Sequence, residues 1–104
     1  MMSLSDLVIA VCKDAIKTFD VEAQKDVCIE ECSELINAIE KNRRGRNTTA
    51  DVVTEIADVF IVCVQMALVF GWNAVLGEVK RKITRLAERI KQHKGQYEVV
   101  PKEK

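Results

Sequence analysis

Residues 28–41 read CIEECSELINAIEK, placing Glu30, Glu31 and Glu34 within five positions. Like charges one turn apart on a helix repel, so the cluster calls for a compensating partner. A helix turns by about 100° per residue. On that wheel Cys28, Cys32, Leu35 and Ile39 form an apolar stripe. Glu31 and Glu34 border the stripe, and the small Ala38 follows one turn on. Glu30 points further round, with Asn37 and Lys41, toward solvent.

The stretch ADVVTEIADVFIVCVQMA at 50–67 repeats the arrangement. Glu55 and Asp58 are i, i+3 neighbours on one face, followed by Val62, Gln65, Met66 and Val69. Acids on so apolar a helix need partners, because burying a lone carboxylate is costly. A short loop at 42–48 joins the two stretches and makes them an antiparallel hairpin. Seven residues separate Glu34 from position 41, and six separate Glu55 from position 49. Those climbs are ~10 Å and ~9 Å, so Glu34 and Glu55 stand at one height, and Glu31 and Asp58 meet one turn on. Packed helices lie about 8–10 Å apart, a gap that facing carboxylates can span. No basic residue shares these faces, so protons or divalent cations must offset the charge. An oxygen-only ligand set favours Mg²⁺ or Mn²⁺. A diiron bundle needs two Glu-x-x-His motifs, which the single histidine, His93, cannot supply.

The rest of the chain reads as further helix. No segment alternates apolar and polar residues for long, and the one proline, Pro101, lies near the end. Four helices are expected at 5–18, 21–41, 49–70 and 74–93, an all-α four-helix bundle in one domain over 1–93, with a polar tail at 94–104. Ser3 or Ser5 can cap the first helix, Asp20 the second and Asn73 the fourth. Thr48 with Asp51 resembles a capping box at the start of the third, and Gly71 can stop it. The formal net charge of zero points neither to nucleic acid nor to an anionic membrane. The most apolar run, 59–70, is shorter than the ~20 residues of a membrane span. The start, MMSLSDLVIAVCKD, has no basic region and meets Asp6 early, unlike a secretory signal. Cys12, Cys28, Cys32 and Cys63 contain no C-x-x-C pair and read as reduced core thiols in a cytoplasmic protein.

Glu30-Glu31-x-x-Glu34 followed by Glu55-x-x-Asp58 resembles the signature of the MazG-like all-α nucleoside triphosphate pyrophosphohydrolases. The likeness covers residues 24–70 well and the fourth helix loosely. It implies Mg²⁺-dependent cleavage of an NTP or dNTP between the α- and β-phosphates, with Mn²⁺ a possible substitute. By motif position it implies that Glu31, Glu34, Glu55 and Asp58 hold the metal and do the catalysis. It also implies phosphate contacts from the fourth helix, where Lys82, Arg85 and Arg89 share one border of the apolar face. Gln24 and Asn37 are candidate substrate contacts. Arg43, Arg44 and Arg46 in the loop KNRRGRN read as ordinary surface, the alternatives being closure over a triphosphate or contact with nucleic acid. The family works as a homodimer or homotetramer, which suits a third helix apolar almost all round. Two rivals stand beside this reading: the related phosphoribosyl-ATP pyrophosphohydrolases, and a non-catalytic helical adaptor with an acidic stripe.

Overall fold

The computed structural model describes residues 1–94, so the tail expected at 94–104 lies, from residue 95 on, outside the described residues. The protein is all-α, with helices α1 (Leu4–Phe19), α2 (Val21–Arg43), α3 (Thr49–Phe70) and α4 (Trp72–Lys94). Met1–Phe70 form one compact unit, and α4 belongs to a second.

Local chemistry sets the helix ends. Ser3 Oγ accepts from the Asp6 amide at 3.1 Å and starts α1. Asp20 Oδ1 accepts from the Ala23 amide at 2.9 Å, and Asp20 takes a φ of 67° to turn the chain from α1 into α2. The capping box of α3 is reciprocal: the Asp51 amide donates to Thr48 Oγ1 at 3.3 Å, and the Thr48 amide to Asp51 Oδ2 at 2.9 Å. The Thr48 amide, with the Thr48 hydroxyl donating to the same Oδ2 at 3.1 Å, holds the Asp51 carboxyl below the usual carboxylate range. The last helix begins at Trp72, before the expected Asn73 cap. The Gly71 carbonyl accepts its first turn, from Val75 N–H at 3.0 Å.

The end of α2 is a Schellman motif. Arg46 N–H donates to Lys41 O at 2.9 Å and Gly45 N–H to Asn42 O at 3.0 Å. Gly45 sits at φ 69°, the left-handed conformation that this turn requires and that a Cβ disfavours. The motif brings the chain back over the last turn of α2 and hands it to α3 within five residues.

Within Met1–Phe70, α3 packs most extensively on α2, and α1 packs on both. Cys12, Ala38, Val62 and Ala67 are the buried apolar residues. The core role expected for all four cysteines holds for Cys12 alone, since Cys28 and Cys32 are half-buried and Cys63 is exposed. Burial raises the thiols of Cys12 and Cys28, which keeps them protonated and poorly nucleophilic. As a whole, the 22-residue α3 is long and apolar enough to cross a membrane by length and composition, with a mean hydropathy of 2.1 over its most apolar 18 residues. The shorter run at 59–70 understated this. Here the helix packs against α1 and α2 and carries two half-buried acids, Glu55 and Asp58.

Candidate metal and phosphate site

The α2–α3 hairpin brings the acidic residues together. Glu31, Glu34 and Glu55 each offer a carboxylate oxygen, and the three oxygens lie within 4.8 Å of one another. Asp58 stands outside that triple but close enough for its charge to act on both Glu31 and Glu55. Glu30 is solvent-exposed, as its place on the helix wheel requires.

Burial and like charge act in the same direction here. Desolvation first, then the charges of Glu34, Asp58 and Glu55, raise Glu31 above its ordinary value. Desolvation first, then the charges of Glu34 and Asp58, do the same to Glu55. Glu31 Oε1 and Glu55 Oε1 are buried with no hydrogen-bond partner among the described residues. Buried carboxylate oxygens are rarely left without a donor or a cation. An oxygen-only cluster with two orphaned acceptors and no paired Lys or Arg fits a hard divalent cation.

Beside the triple opens a cleft of about 370 Å³. Glu34 and Glu55 close one end, Lys41 and Arg46 line it, and Asn37, Ala38, Asn47 and Asp51 complete its walls. Asn47 fixes the loop to α2 by donating from Nδ2 to Ala38 O at 3.0 Å.

The remaining candidates fall in different places. Asn37 lines the cleft, whereas Gln24 is buried further back on α2. Lys82, Arg85 and Arg89 are solvent-exposed on α4. Arg85 borders a shallow depression on that helix with Lys80 and Arg81, and Arg81 is already paired with Glu78 at 2.7 Å. Arg44 is paired with Glu40 at 3.6 Å. The sequence does not single out Lys41 or Asn47, and it reads Arg46 as surface with closure over a triphosphate as an alternative. The available signal was the Gly45 turn, which folds positions 41 and 46 together.

Two helices of one hairpin that face each other through carboxylates beside a polar cleft define an all-α domain with a candidate site for a cation. The chain belongs to the MazG nucleotide pyrophosphohydrolase domain family, whose model matches residues 19–91. No curated protein and no solved structure matches the chain closely. The match takes in the acidic triple, Asp58 and the whole cleft.

Proposed function

We propose that the protein is a Mg²⁺-dependent nucleotide pyrophosphohydrolase, with Mn²⁺ as a substitute, that cleaves an NTP or dNTP between the α- and β-phosphates. The observation that carries this is the meeting of Glu31, Glu34 and Glu55 oxygens within 4.8 Å, two of the residues keeping a buried, unpartnered oxygen. In this reading Glu31, Glu34 and Glu55 hold the cation, and Asp58 completes the acidic wall. A bound divalent cation supplies charge neutralisation at the phosphate oxygens and orients the attacking water. One carboxylate of the set takes the proton of that water as it attacks the α-phosphorus. The bond from that phosphorus to the bridging oxygen breaks, giving a nucleoside monophosphate and pyrophosphate.

The functional unit is a homodimer or homotetramer in the cytoplasm. Val53, Ile56, Phe60, Cys63 and Phe70 are exposed along α3 at alternating three- and four-residue steps, with one position, Ala67, buried. Such an apolar row suits the helix of a second copy. A chain of this length normally buries about two thirds of its unfolded surface, and the four buried apolar side chains among the described residues fall well short of a full core.

The test is pyrophosphate release from a panel of NTPs and dNTPs, with Mg²⁺ and with EDTA. Release that requires the metal supports the assignment. Glu34→Gln and Asp58→Asn are expected to abolish turnover while circular dichroism still reports a folded helical protein. Full activity in either variant removes these residues from the site.

A further inference from the structure

The cleft beside the acidic triple carries a feature that the acids do not explain. Lys41 and Arg46 both line it, and neither makes an ion pair among the described residues. The Schellman turn places them, since the Arg46 amide bonds the Lys41 carbonyl and so ties the two backbones together. Asn47, next in the chain, is tied to Ala38. Two exposed cations are therefore mounted on hydrogen-bonded backbone rather than on a loose loop. The start of α3 adds the positive end of its dipole, and the Asp51 carboxylate there is already engaged by Thr48.

The same walls say what does not bind there. The lining holds no aromatic side chain, and Ala38 is its one apolar residue. A base would find no ring to stack on and little apolar surface. A chain of phosphates would find carboxylates able to share a cation at one end and, beyond them, two cations without an ion pair among the described residues, the charge of Lys41 also acting on Asp51.

We propose that this cleft is the pyrophosphate subsite, with Lys41 and Arg46 binding the β- and γ-phosphates of the substrate and then the departing pyrophosphate. This rests on the hydrolase reading above and adds a polarity to it: the terminal phosphates run from the acids toward the α2–α3 turn, and the nucleoside lies on the opposite side of the acids. It also assigns the main phosphate contacts to this turn rather than to Lys82, Arg85 and Arg89 on α4.

The experiment is calorimetric binding of inorganic pyrophosphate to the full chain in the presence of Mg²⁺, which needs no turnover. Charge-assisted bonds to phosphate are strong enough that Arg46→Ala and Lys41→Ala should each weaken pyrophosphate binding about tenfold. Arg46→Lys should restore part of the loss in Arg46→Ala. Arg43→Ala, a solvent-exposed neighbour outside the cleft, should bind as the parent does. An unchanged affinity in both Arg46→Ala and Lys41→Ala overturns the proposal. So does a loss confined to Arg85→Ala, or a parent protein that does not bind pyrophosphate. Failure of the hydrolase reading shows separately, as absence of metal-dependent nucleotide cleavage by the same preparation.

Discussion

Replacing Glu55 with Gln separates an acid kept for function from one kept for structure. Glu55 is half-buried, one of its oxygens has no partner, and Glu34 and Asp58 stand beside it. Its folded-state affinity for a proton is raised above the ordinary value of 4.5, as is that of Glu31. A carboxyl raised in the folded state favours folding while it is protonated. That contribution is present in full below 4.5 and is lost as pH climbs through the raised value. At neutral pH the metal-free protein therefore carries repulsion that Gln removes without changing the side chain's shape. Metal-free Glu55→Gln is expected to melt no lower than the parent at pH 7 and to lose part of the parent's decline in stability just above pH 4.5. The metal reverses the order. A cation at one hundred times its dissociation constant stabilises the folded state by about 2.7 kcal/mol. For a domain of this size each kcal/mol moves the midpoint by roughly 4–8 °C, so the parent should gain upward of about 10 °C. Glu55→Gln should gain little of it. Metal binding should also tighten with pH across the same range, because cation and proton compete for the same oxygens. Differential scanning calorimetry with EDTA and with excess Mg²⁺ reads all of these. A Glu55→Gln protein that melts well below the parent without metal, or that keeps the parent's full metal-induced gain, refutes the reasoning.

Three further outcomes follow from the hairpin and the helix faces. Gly45→Ala forces a Cβ into a backbone at φ 69°, where the cost is about 1–2 kcal/mol, and thermal denaturation should show it; nothing lies within 4 Å of the added atom, so the loss reports backbone strain alone. Thr48→Ala removes the hydroxyl that accepts from the Asp51 amide and should cost about 1 kcal/mol, read by urea denaturation. The same cap lowers Asp51, so its contribution is present above the ordinary 3.8 and lost as pH falls through the lowered folded value; Thr48→Ala should diminish that acid sensitivity. Phe60→Asp puts a charge on the exposed α3 row and should shift sedimentation toward the monomer, whereas an unchanged oligomer would move the subunit contact elsewhere.

The sequence by itself determined the helices, because they rest on local chemistry. Caps at Ser3, Asp20 and Thr48 and the absence of internal proline are properties of neighbouring residues, and α3 runs over Thr49–Phe70 as its pattern predicts. The facing of Glu34 toward Glu55 was also legible, since two helices joined by a short loop leave one register open. Tertiary structure alone decided the rest. Helical periodicity tells which residues share a face but not which face finds a partner, and the usual burial of free cysteine does not hold for Cys63, which lies exposed. The turn at Gly45 separates Arg46 from Arg44, one arginine lining the cleft and the other pairing with Glu40. Asn47, in the loop, had no periodic signal, and the helix wheel turned Lys41 toward solvent with Glu30. They reach the cleft through the reversal at Gly45 and the bond from Asn47 to Ala38, contacts formed only when the chain turns back on itself.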